Sequence, residues 1–319
     1  METPLTHADN PQASLPASAG NTQLPIPPLL ALKLVLAALF WGGTFIAGKV
    51  LAQSIPLMTA AFGRFLIASM LLIWASYKIE HGLPRLNRQQ MIGTALLGLT
   101  GIFLYNIFFF GALSHIPAGR TALFVSLSPI TTALAAALIM GERLGTKRWI
   151  GIATALFGAA IVITRGDLAG TMHDISQSVG LGEVLMTCAV VAWTVYTLIS
   201  RKVLTSLSPI AATTYSTLWG TLFLGIGAAG QFGSLDMASF NWQVWASIFY
   251  LGAFGTVAAF VWYYQGIRAV GPSRTIIFNN LVPVFGVLLS ALLLGEPILM
   301  SMLLGGAISV AGVLLVNSK

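Results

Sequence analysis

Charge is what this chain has least of. Only 8% of its 319 residues are Asp, Glu, Lys or Arg, against roughly a quarter in soluble domains. With 56% hydrophobic residues and a mean hydropathy of +0.86, so few charges cannot supply a water-facing surface; the solvent for most side chains has to be lipid. Cysteine occurs once, as Cys188 within an apolar run, which excludes a disulfide framework and a cysteine-based zinc site. A Gly-Lys-Ser/Thr phosphate loop is absent, so ATP drive within the chain is not expected. Alternating strands of about ten residues, the mark of a membrane β-barrel, are absent too. The net charge of +7 is spread over the ends of apolar runs and forms no patch, so it orients helices and does not point to nucleic acid. The expectation is an all-α membrane protein with no metal and no cofactor.

Residues 1–30 are rich in Pro, Ala, Ser and Asn without apolar periodicity and read as a disordered cytoplasmic tail. Beyond them, runs of about twenty apolar residues, enough to cross a bilayer, fall near 31–52, 57–78, 90–113, 119–140, 147–165, 181–201, 209–231, 242–267, 273–294 and 298–317. Ten transmembrane helices follow. Placing the N-terminus inside collects Lys33, Lys78, Arg85, Arg88, Arg143, Lys147, Arg148, Arg201, Lys202, Arg268, Arg274 and Lys319 on the cytoplasmic side. Lys49, Arg120 and Arg165 are left opposite, and Arg64 falls within the second span. That bias predicts a multi-pass inner-membrane protein with both termini in the cytoplasm.

The two halves repeat one another. Arg120-Thr121 aligns with Arg274-Thr275, Phe124 with Phe278, Leu127 with Leu281, Pro129 with Pro283 and Gly141-Glu142 with Gly295-Glu296, all at one offset. Earlier, Trp41 pairs with Trp193 and Lys49 with Arg201. The units are predicted over 31–166 and 180–318. An odd number of spans per unit sends the second copy into the membrane from the opposite side, giving two inverted five-helix repeats around a midplane site.

The run Phe40-Trp41-Gly42-Gly43-Thr44-Phe45, then Arg64-Phe65 with Ala68, then Ala118-Gly119-Arg120-Thr121-Ala122 leading to Pro129 and Gly141-Glu142-Arg143, resembles the EamA-type drug/metabolite transporter superfamily. The resemblance extends over nearly everything after the tail. It implies a ten-helix bundle whose central cavity is lined mainly by helices 1, 3, 4, 6, 8 and 9. It further implies export of amino acids, related metabolites or toxic compounds across the bacterial inner membrane. Arg64 departs from the internal symmetry, since Thr217 stands near its counterpart position.

Polar and aromatic residues within spans are the cavity candidates. Trp41, Trp193 and Tyr196, Tyr105-Asn106, and Trp262-Tyr263 combine rings with a few polar groups, as small-molecule pockets do. Ser126 precedes Pro129, and Asn279-Asn280 precede Pro283. These prolines are predicted helix kinks that free a carbonyl, so the Asn pair either repairs the ladder or meets a ligand. Arg120 and Arg274 open their helices, where the dipole disfavours a cation; they are interfacial anchors or partners of an anionic group. Arg64 either snorkels to the outer interface or pairs with a helix C-terminus or a carboxylate within the bundle. Lys49 and Arg201 complement helix C-termini or act as gates. In each Gly-Glu pair the Gly is expected to end one helix and the Glu to cap the next.

These features predict a secondary transporter that exports amino acids or related small metabolites by alternating access. Its partners would be a small-molecule substrate and the lipid bilayer, and a monomer is compatible with this. A facilitator, or an efflux transporter for aromatic or cationic compounds, is the alternative. An intramembrane enzyme is the remote one, because no catalytic group lies at depth: the acidic residues after the tail fall near span ends or in loops.

Overall fold

The computed structural model describes residues 26–128, 130–131, 134–135, 145–164, 180–234, 240–270 and 276–317. Among them the chain is helical and contains no strand, as expected where lipid offers the backbone no hydrogen-bond partner. The rods are α1 (Pro28–Ser54), α2 (Leu57–Ile79), α3 (Arg88–His115), α4 (Ala118–Phe124, tightening to 3-10 winding over Val125–Leu127), α5 (Thr146–Ile163) and α6 (Leu181–Val203). Then come α7 (Pro209–Ala228), α8 (Trp242–Gly252, Ala253–Ala258 and Ala259–Val270), α9 (Ile276–Asn280 in 3-10 winding, then Leu281–Leu294) and α10 (Met300–Asn317). Among the described residues five stretches are long and apolar enough to cross a membrane: Pro28–Ser54, Leu57–Ile79, Arg88–His115, Leu181–Ser200 and Trp242–Tyr263. Trp149–Val162, Phe278–Leu294 and Met300–Leu315 are shorter apolar helices.

Local chemistry sets the helix ends. Asn87 accepts from Gln90 N at 2.8 Å while the Gln90 side chain accepts from Asn87 N, a reciprocal cap at the start of α3. Ser208 and Asn241 cap α7 and α8 through the backbone N–H of Ala211 and Val244. Gly295 closes α9 in the left-handed region, at φ 66°.

Helix pairing is reciprocal between the halves. α1 packs on α8 and α9, and α6 packs on α3 and more lightly on α4; α2 packs on α7, α4 on α9 and α5 on α10. Without a hydrophobic force between helices in lipid, such contacts depend on small residues and hydroxyls. A Cβ on Gly305 would lie 2.6 Å from Gly158 O, so α5 and α10 touch backbone to backbone. Between α2 and α7, Ser69 bonds Thr221 and Ser76 bonds Thr214, both at 2.9 Å.

Alternation of direction can be read from contacts at the two ends of the bundle. One end joins Lys49 to the end of α3, and Ala118 and Gly119 to Glu296. The other joins Lys33 to Gln265, Glu80 to Ser208 and Gln90 to Ser206.

The interruptions of α3 and α8 were not anticipated from sequence. Gly98–Leu104 and Ala253–Ala258 are wound as π-helix, and such turns are frequent at functional sites. Thr256 Oγ1 donates to Leu251 O at 2.9 Å, and Asn106 Nδ2 donates to Ile102 O at 2.7 Å, so a side chain bonds the backbone at each interruption. A signal did exist. Gly98 and Gly101 recur as Gly252 and Gly255 at the offset that relates Arg120 to Arg274.

Candidate functional site

Trp41 is the central residue of α1, with thirteen helical residues on either side. Its indole Nε1 donates to Gly255 O in the π turn of α8 at 3.1 Å. Its ring meets Phe260 and Tyr263 of the same helix edge to face, with centroids 5.6 and 5.4 Å away. Trp193, near the middle of α6, likewise reaches across to the other half: it lies 5.4 Å from Tyr105 of α3 and stacks on Tyr196 at 5.1 Å. Tyr105 stacks in turn on Phe109. Two aromatic groups therefore stand at mid-height, each made by the first helix of one half and the third helix of the other.

Asn106 and Thr256 flank these groups, and both hold Arg64. The guanidinium leaves α2 and enters the gap between α3 and α8. Nη1 donates to Asn106 Oδ1 at 3.1 Å and Nη2 to Thr256 Oγ1 at 3.4 Å. The Phe65 ring lies 4.8 Å from its carbon. Arg64 is only 8% exposed, which excludes snorkelling, and the helix C-terminus or carboxylate expected as its partner is replaced by two neutral side chains. A midspan cation costs about 2.5–3.5 kcal/mol on insertion scales, and an amide and a hydroxyl offset that only in part.

Four charged side chains, Arg120, Glu183, Glu296 and Lys49, gather at one end of the bundle. Arg120 Nη1 lies 2.8 Å from Glu183 Oε1, with both side chains buried, so the anionic group that meets Arg120 includes a carboxylate of the protein itself. Glu183 Oε2 also accepts from Gly180 N at 3.0 Å. Glu296 was expected to cap the helix that follows it. Instead its Oε1 accepts from Ala118 N at 2.9 Å and its Oε2 from Gly119 N at 3.0 Å, so it caps α4 from the second half of the chain. The left-handed turn at Gly295 throws the carboxylate across the interface, and the positive end of the α4 dipole attracts it. Lys49 completes the cluster by donating to Leu113 O and Ile116 O at 2.6 and 2.9 Å, at the C-terminus of α3 and not of its own helix. Charge-assisted bonds of this kind contribute about 1.5–3 kcal/mol each.

Other sequence candidates lie elsewhere. Trp262 stacks on Phe40, with centroids 5.5 Å apart. Ser126 donates to Leu123 O and meets Ser309 Oγ of α10 at 3.1 Å, in a narrow crevice with Ala159 and Val162 of α5. Asn279 and Asn280 are half-buried in the 3-10 turn that opens α9, and no side-chain hydrogen bond ties either to a described residue. Pro283 is third in the α-helical part of α9, just after that turn, where a missing N–H costs little. Arg274 and Pro129 lie outside the described residues.

The EamA-like transporter family model matches residues 29–164 and 180–318. The uncharacterized transporter YyaM of Bacillus subtilis is 29% identical over 279 residues, 87% of this chain and 90% of that protein. A probable terminal-alkyne amino-acid exporter of Streptantibioticus cattleyicolor is 29% identical over 289 residues, 90% of this chain and 92% of the relative. One solved crystal structure superposes with a TM-score of 0.64 at 20% identity, over 90% of this chain and 96% of the other, and is similar in fold. The membrane helices, the matched pair of segments and these relatives together place the chain in the EamA-like transporter family.

Proposed function

We propose that this chain is a ten-span secondary transporter of the inner membrane, exporting amino acids or related small metabolites by alternating access between two inverted five-helix repeats, over 31–166 and 180–318. The observation that carries this reading is the charged latch at one end of the bundle. Two of its contacts, Arg120 with Glu183 and Glu296 with the α4 N-terminus, join one half to the other. Breaking them lets the halves rock apart at that end, while the aromatic groups of Trp41 and Trp193 remain at the pivot. The positive-inside rule makes the end with Lys78, Arg85, Arg88 and Lys202 cytoplasmic, so the latched end faces outward and both termini lie inside. Export from the cytoplasm begins in such an outwardly closed state. The name of the S. cattleyicolor relative, a probable terminal-alkyne amino-acid exporter, supports the substrate class.

A second reading has one observation in its favour. Among the described residues Glu80, Glu183 and Glu296 all sit at helix ends, which favours facilitated exchange over proton-coupled export. Flux that ignores an imposed pH gradient would select it.

The test uses Arg120→Cys with Glu183→Cys in a Cys188→Ser background, reconstituted in vesicles. Counterflow of labelled L-leucine and L-phenylalanine is expected before cross-linking, loss of it after, and recovery on reduction. Absence of flux for any amino acid or metabolite tried, or flux indifferent to the cross-link, defeats the proposal.

A further inference from the structure

Arg64 is a charge without an answering charge. Among the described residues no carboxylate lies within ion-pair distance of it, and its Nε meets no hydrogen-bond acceptor although buried. Its two acceptors are neutral and are themselves oriented by other bonds. Asn106 Nδ2 is spent on Ile102 O, which turns Oδ1 toward Nη1. Thr256 donates its hydroxyl hydrogen to Leu251 O, which leaves a lone pair for Nη2. The three guanidinium nitrogens are thus held unequally. Nη1 is anchored at 3.1 Å, Nη2 is held weakly at 3.4 Å, and Nε is unpartnered. Nε and Nη2 together form the side-on fork of an arginine, whose two parallel N–H groups match the two oxygens of a carboxylate.

The two residues that hold the guanidinium adjoin the aromatic groups. Thr256 follows Gly255, whose carbonyl binds Trp41; Asn106 follows Tyr105, which touches Trp193. We propose that Arg64 is the counter-charge for a carboxylate on the transported molecule, which displaces Thr256 and takes Nε and Nη2 while its apolar part lies against the rings of Trp41 and Tyr105. The ligand class is therefore an organic carboxylate with an apolar or aromatic body, amino acids included. Neutral sugars lack the charge, and cationic drugs are repelled. This inference rests on the transporter reading above and deepens it.

Binding is measured on the purified full-length chain in nanodiscs, by tryptophan fluorescence and thermal shift. The probes are 3-phenylpropionate, L-phenylalanine and L-leucine, each against its amide. Wild type is expected to favour each acid over its amide by about tenfold or more, the worth of a charge-assisted bidentate contact. Arg64→Gln is expected to bring acid and amide within about threefold of each other. Because removal of a buried arginine can impair folding, Asn106→Asp provides an independent arm. It gives Arg64 a resident carboxylate, so it is expected to raise the melting temperature and abolish preference for the acids. Equal binding of acids and amides by wild type, discrimination that survives in either variant, or failure of every acid to bind would each overturn the assignment. The two readings fail separately. Selective binding without vesicle flux counts against transport alone, whereas flux indifferent to the carboxylate counts against Arg64 alone.

Discussion

Arg120 and Glu183 form an ion pair of 2.8 Å between α4 and α6, with less than a tenth of either side chain exposed. A buried pair of this kind is weak evidence for net stability, because desolvation offsets much of the attraction; losing one partner, however, strands the other. Glu183→Gln is expected to destabilise the detergent-solubilised protein by about 3 kcal/mol. The double variant Arg120→Met with Glu183→Leu should recover most of that loss. Melting by size-exclusion-detected aggregation checks both. A double variant as unstable as the single one would mean that the pair is not the source of the effect.

Glu296 bridges the halves through two backbone N–H groups, and a glutamine offers them one neutral oxygen. Glu296→Gln should weaken the contact by about 1–2 kcal/mol and raise the population open at that end. With Ala118→Cys as reporter in a Cys188→Ser background, labelling by a membrane-impermeant maleimide should speed up about tenfold. An unchanged rate would show that the cap does not hold that end closed.

Thr217 is fully buried, and its hydroxyl has no hydrogen-bond partner among the described residues. Valine has nearly the same shape and leaves nothing unsatisfied. Thr217→Val should therefore stabilise the fold, by about 1 kcal/mol, seen as a higher melting temperature. A lower one would mean that the hydroxyl meets a group it lacks here.

The α5–α10 contact leaves no room for a side chain at Gly305. Gly305→Leu would place Cβ 2.6 Å from Gly158 O, so the helices must separate. Loss of the monodisperse folded peak in fluorescence-detected chromatography is the expected result. The same change at Gly145, which has open space around its Cβ, should be tolerated.

Much of the fold could be read from composition and periodicity. The span expected over 57–78 is α2 at Leu57–Ile79, and the one over 181–201 is α6 at Leu181–Val203. A helix in lipid must satisfy its own backbone, so apolar length and helix nearly coincide. The site was less legible. Trp41 and Trp193 stood out because they recur, and they lie at mid-helix with rings of the opposite half around them. Ser126 stood out as a polar residue before a proline and Trp262 as one of an aromatic run, and both face other neighbours. Sequence gives the height of a side chain along its helix, but rotation about the axis depends on which helix packs beside it.

The residues alone determined that this chain lives in lipid, that its helices fall where the apolar runs fall, and that one unit occurs twice. These follow from local free energies of solvation and from spacing along the chain. Tertiary structure decided which charges meet. Glu296 lies 178 positions from Ala118, Arg64 lies 192 from Thr256, and Glu183 answers an arginine of the other half. Such partnerships depend on how two separately written bundles dock, and no pattern within either bundle encodes that distance.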